Sequence, residues 1–213
     1  MITFIIILTI AVLIYGLMSK TNEPKIKYDY NIWFETTKES VDSILNFLAD
    51  AQSNKKLCDF IESQTGAVLK LNGRMITSPI EKLENLLLMD LIKCYKIMEY
   101  DPAQADIRSI PIFLFYSKLK DSEVNITPEN LEIFRKDCQE SFISIMQQLS
   151  RSVSRSTDVF FIAEYLKHFD KELVTKYITV LMRFGYKVAG AKGKVSKQDE
   201  SELDKIFNYI REV

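Results

Sequence analysis

Ionisable side chains able to carry chemistry fall in three places. After "VAGAKGKV", Ser196 is followed by Asp199, Glu200 and Glu202, three carboxylates at the head of a helical pattern. Glu81 stands three residues after Ser78 in a similar setting. Carboxylate oxygens are the ligands a hard divalent cation prefers, so Asp199, Glu200, Glu202 and Glu81 are the metal-site candidates. The same acids also serve a helix without any metal. A serine with an acid three residues on is a capping box, and acids in a first turn favour the helix dipole. Arg151 and Arg155, set among Ser150, Ser152, Ser154 and Ser156, are candidate anion contacts, against the plainer reading of a solvated joint between helices.

Other site types are excluded or left unplaced. There is one histidine, His168. It closes a helical pattern, where imidazole commonly meets terminal carbonyls, and a His–His–carboxylate metal site is impossible. "AGAKGKVSKQDE" lacks the acids an EF-hand loop needs before its glycine. No G-x-S-x-G, phosphate-cradling or dinucleotide glycine pattern occurs, so no catalytic residue and no cofactor is predicted. Cys58, Cys94 and Cys138 are odd in number and widely spaced within apolar helical patterns, which reads as buried, reduced thiols. A formal net charge of −1 offers no basic field for nucleic acid.

The elements that position these residues begin with an apolar run. Residues 1–18, "MITFIIILTIAVLIYGLM", carry no charge. As a helix they would cover roughly 27 Å, near the hydrocarbon thickness of a bilayer. No basic residue precedes the run, and "YGLMSKTNE" is a poor cleavage site. A transmembrane anchor over 1–19, contacting lipid through residues 2–18, therefore competes favourably with a cleaved leader. Lys20, Lys25 and Lys27 follow the run and put the remainder of the chain in the cytoplasm, beneath the inner (plasma) membrane. Residues 20–32 read as a polar stalk, and 33–213 as one helical domain. The cluster Tyr28, Tyr30, Trp33 and Phe34 suits either the bilayer surface or packing onto the domain, and the intervening polar stretch favours packing.

The fold class is all-α or nearly so, with about seven or eight helices beyond the anchor. Val41, Ile44, Leu45, Leu48 and Ala51 recur at helical spacing. Residues 67–77, "AVLKLNGRMIT", break the pattern. Asn72-Gly73 fits a β-hairpin turn, and a glycine-capped corner between helices fits equally well. Ser78-Pro79-Ile80-Glu81 opens a helix so rich in apolar positions that it must be buried on several sides. Pro111 marks a break before an apolar run through Tyr116, and Thr127-Pro128 opens a long helix with a narrow stripe. Further helices start near Thr157, Asp170 and Ser196, with no βαβ alternation.

One stretch resembles a known family. Ala191, Lys192, Gly193, Lys194, Val195, Ser196 and Asp199 resemble the signature of the TerB-like family, named from tellurite resistance. That signature is an apolar helix ending in alanine, then acid–glycine–x–aliphatic–Ser/Thr, then an acid three residues on. Gly73, Met75-Ile76, Thr77-Ser78 and Glu81 form a looser echo. The resemblance implies an all-helical fold with internal similarity, and a divalent metal held through the acids before each glycine. Those positions are Lys192 and Asn72 here, which argues against the metal. Taken together, the chain reads as a membrane-anchored interaction or sensing module with an unidentified protein partner, in envelope stress or phage defence. A metal-dependent effector or enzyme using clustered carboxylates, and an exported helical domain, are the alternatives.

Overall fold

The computed structural model describes residues 28–64, 69–71, 74–103, 106–119, 130, 146–147, 160–166 and 171–212. The apolar run, Arg151, Arg155, His168, Cys138 and the helix expected after Thr127-Pro128 lie outside these residues. Among the described residues no helix is long and apolar enough to cross a membrane.

Helix α1 spans Tyr30–Ser53. It starts inside the segment read as stalk because Asp29 caps it, its carboxylate accepting from the amides of Asn31 at 2.9 Å and Ile32 at 3.3 Å. Trp33, Phe34, Val41, Ile44, Phe47, Leu48 and Ala51 form the buried face. Asn54 stops α1 and its side chain accepts from the Leu57 amide at 3.1 Å, starting α2 (Lys55–Gln64) with almost no loop. Leu57 and Ile61 point into the core.

The segment around Asn72-Gly73 carries two short strands, β1 (Leu69–Leu71) and β2 (Arg74–Ile76), paired antiparallel with Leu69 opposite Ile76. This segment is thus a strand pair running into a helix, unlike the corner near Gly193. Helix α3 (Pro79–Ile97) follows. Pro79 takes a first-turn position where no amide hydrogen is needed, but the Ser78 hydroxyl makes no cap hydrogen bond, so the serine's half of the predicted capping box is missing. Every residue from Leu86 to Tyr95 is buried, which makes α3 the central helix. Glu99, at φ 61°, ends it in the left-handed conformation, and the Tyr100 amide returns to the Tyr95 carbonyl at 2.7 Å.

A 3₁₀ turn, Ile107–Ser109, leads into α4 (Ile110–Leu119). Pro111 lies in the first turn of α4, where it is tolerated, so the break falls ahead of it. Then come α5 (Phe161–Leu166), α6 (Lys171–Ala189), a second 3₁₀ turn (Gly190–Lys192) and α7 (Lys197–Glu212). Seven helices are thus ranged among the described residues, most of the segment between Thr127 and Phe160 lying outside them, and the all-α character is shown. Helix α1 packs mainly on α6 and α4, while α3 touches α1, α2, α5 and α6. One continuous apolar core joins them.

Candidate functional site

The corner around Gly193 is built where α6 runs out. Its last turn tightens into the 3₁₀ turn, and the Gly193 amide donates to the Gly190 carbonyl at 3.0 Å. Gly193 sits at φ 114° and ψ −120°, a region open to glycine and strained for any other residue. Val195 then turns its side chain inward, half-buried against the core. Ser196 caps α7: its Oγ accepts from the Asp199 amide at 3.1 Å and donates to Asp199 Oδ2 at 2.7 Å. The sequence predicts that Ser196 caps this helix with Asp199 as its partner, and the structure forms the serine's half of the box, with Asp199 accepting from the Ser196 hydroxyl.

Asp199 goes further than capping. It is only 5% exposed, and the Tyr100 hydroxyl donates to it, 3.1 Å from each carboxylate oxygen. Burial, and then the charge of Asp199, push the Tyr100 phenol above its ordinary value. The Arg108 guanidinium lies 4.1 Å over the Tyr100 ring and also pairs with Asp106 at 3.1 Å. Lys192 reaches the same Asp106 oxygen at 2.7 Å. Burial alone would raise Asp106, but Lys192, the Arg108 amide and the Arg108 guanidinium outweigh it and hold the carboxyl below its usual value. A chain of contacts thus runs Lys192–Asp106–Arg108–Tyr100–Asp199–Ser196 and ties the turn after α3 to the head of α7.

The start of α1 closes the corner from the other side. The Tyr28 hydroxyl donates to the Ala191 carbonyl at 2.6 Å, and the Trp33 indole N–H donates to the Lys187 carbonyl at 3.0 Å. Lys187 lies in the last turn of α6 and Ala191 in the 3₁₀ turn that follows, where a helix leaves carbonyls to be satisfied from outside. The Tyr28 ring packs over Gly193, and Tyr30 stacks on Phe34 with ring centres 5.8 Å apart. The aromatic cluster therefore packs onto the domain, as its sequence position suggests.

The remaining carboxylate candidates do not converge on Asp199. Glu200 faces solvent, and Glu202 pairs with Lys205 at 2.8 Å. Glu81 opens α3, where its backbone carbonyl accepts from the Asn85 side chain at 2.6 Å. Among the described residues there is no group of three or more His, Cys, Asp or Glu side chains able to hold a metal.

A second polar centre went unrecognised in the sequence. Asp90, fully buried on α3, accepts from the Ile162 amide at 2.8 Å and from the Tyr177 hydroxyl at 2.7 Å. It thereby caps α5 and fastens α6 to α3. Burial and then Asp90 push the Tyr177 phenol well up. Burial likewise pushes up the neighbouring Cys94 thiol, which stays protonated and unreactive. A lone acid inside "LLLMDLIKCY" was the available signal: a charge at a core position needs a buried partner.

No family model, curated protein or solved structure matches the chain. The reading of the corner therefore rests on its own residues.

Proposed function

We propose that this chain is a membrane-tethered, TerB-like helical module that works by binding a protein partner at the cytoplasmic face, in envelope stress or phage defence. The observation that carries the reading is the seating of Tyr28 on the Gly193 corner. Nine residues, 19–27, lie between Met18, the end of the apolar run, and Tyr28. Fully extended they reach about 35 Å at most, so a tether at residues 2–18 holds the corner within that distance of the lipid. Such a tether raises the local concentration of the domain around membrane partners without any added contact. The carboxylate of Asp199 is engaged by Tyr100 and Ser196, and Lys192 is engaged by Asp106. This favours binding through a rigid surface over metal-dependent chemistry at the corner.

The test compares three forms of the full chain captured from cross-linked membranes: native, with residues 2–18 exchanged for an unrelated membrane helix, and with residues 2–18 deleted. The same protein should be recovered stoichiometrically with the first two and lost with the third. Recovery that follows the identity of the apolar run, or no specific protein in any arm, would overturn the proposal.

A further inference from the structure

Among the described residues four large apolar side chains stand exposed: Tyr28, Ile32, Ile80 and Tyr186. Three of them gather at one end of the bundle. Helices α1 and α6 run antiparallel, since Trp33 meets Lys187 near one end and Asp50 meets Lys176 near the other. Ile32 in the first turn of α1, Tyr186 in the last turn of α6 and Tyr28 on the Gly193 corner therefore share an end. Ile80 opens α3, whose start lies beside the end of α1, with Gln52 and Glu84 3.3 Å apart. It sits at the opposite end.

Positive charge gathers at the same end as the three. Residues 187–198 hold four lysines and no acid, and Lys192, Lys194 and Lys197 are exposed around Gly193. Three of the acids nearby are taken up within the fold. Asp106 pairs with Lys192 and Arg108, Asp199 is buried under Tyr100 and Ser196, and Asp29 caps α1. The exposed acids of this end, Glu99, Asp101 and Glu200, belong to the end of α3 and the head of α7, not to the α1–α6 side that carries the apolar residues.

Exposed tyrosine and isoleucine beside lysines are the side chains that an anionic bilayer surface accepts. Tyrosine settles at headgroup level, apolar side chains enter the boundary shallowly, and each lysine near anionic lipid is attracted to it. A second copy of the chain would bring the same lysines against these with like charge.

We infer that this end of the bundle docks on anionic phospholipid headgroups through Tyr28, Ile32 and Tyr186, with Lys192, Lys194 and Lys197 beside them. The inference rests on the tether proposed above, since the nine residues before Tyr28 keep this end within reach of the lipid. Docking adds what a tether alone does not give, a fixed orientation of the domain on the membrane.

The experiment places the full chain, with isoleucine δ1 methyls labelled, in nanodiscs carrying a trace of lipid with a nitroxide on its headgroup. One set of discs is phosphatidylcholine alone, the other an equimolar mixture with phosphatidylglycerol. In the anionic discs at low salt the Ile32 methyl, assigned by its loss in Ile32→Val, should be bleached by the nitroxide. The Ile80 methyl, roughly 30 Å away along α1, should keep its signal. In neutral discs, and in anionic discs at high salt, the Ile32 signal should return, because exposed charges are screened. Lys194→Gln with Lys197→Gln changes two exposed side chains and is expected to fold. It should lower the ratio of docked to undocked chain about fivefold for each lysine removed. A chain recovered free of the discs would overturn the tether, and the inference with it. A chain held in the discs would overturn the inference alone if its Ile32 signal survives, is bleached equally in neutral discs, is bleached no more than Ile80, or is unmoved by the lysine variant. A shift of Ile32 that follows the number of chains per disc would assign the patch to a second copy and overturn the inference likewise.

Discussion

Lys192 and Asp106 decide what kind of corner this is. A lysine in the position of a family acid would be a bare departure if it pointed to solvent, but it meets a carboxylate 86 positions away. The pair is partly exposed, so its coupling in a double-mutant cycle of Lys192→Met and Asp106→Asn should be modest, about 0.5–1 kcal/mol. Lys192→Glu, which restores the family's charge, should destabilise the fold by about 1 kcal/mol through repulsion from Asp106. Thermal melts of the two single variants, the double variant and Lys192→Glu check both values. Asp106 also sets a pH dependence. Its folded value is lowered, so its contribution is complete above the unfolded value near 3.8 and is lost as the pH falls through the lower folded value. Asp106→Asn should remove that acid limb from a stability-versus-pH profile. Asp199 is more deeply held: Asp199→Ala takes the acceptor from both Tyr100 and Ser196 and should cost about 2–3 kcal/mol. A melt indistinguishable from wild type would refute the network drawn here.

Between elements, two contacts carry the arrangement. Asp90 joins α3 to α5 and α6 through one carboxylate oxygen. Asp90→Ala leaves the Tyr177 hydroxyl and the Ile162 amide without that buried acceptor, and should cost about 3–5 kcal/mol. Hydrogen exchange should show α5 losing protection first. Gly185 is where α6 meets α7: a Cβ placed there would lie 2.4 Å from Leu203 Cδ2. Leu203 is itself buried and has little room to move, so Gly185→Val should cost about 2 kcal/mol or more by pushing the helices apart. Apolar periodicity made α1, α3, α6 and α7 legible, because a helix buried on one face repeats its apolar positions every three or four residues. Ser196 and Asp199 were legible because a cap is a local hydrogen bond between near neighbours. Asp90–Tyr177, Tyr100–Asp199 and Lys192–Asp106 were not, since each joins residues 86 to 99 positions apart and no local rule pairs them. The Ser78 hydroxyl shows the converse: a favourable local pattern does not oblige the side chain to adopt it.

At the scale of the whole molecule, the chain leaves the described domain through Tyr28, pinned by its hydroxyl and by Trp33 to the end of α6. That seats the first described residue, Tyr28, against the Gly193 corner. The family resemblance suggested such a corner, while the contact with Tyr28 could not be read from spacing at all. The most direct test is a matched pair of full-chain fusions carrying a C-terminal fluorescent protein or a C-terminal phosphatase, fractionated and sized. The account predicts a fluorescent product of full length in the membrane fraction and an inactive phosphatase. An active phosphatase on a product shortened by the length of a leader, or a fluorescent product recovered free of membrane, would contradict it.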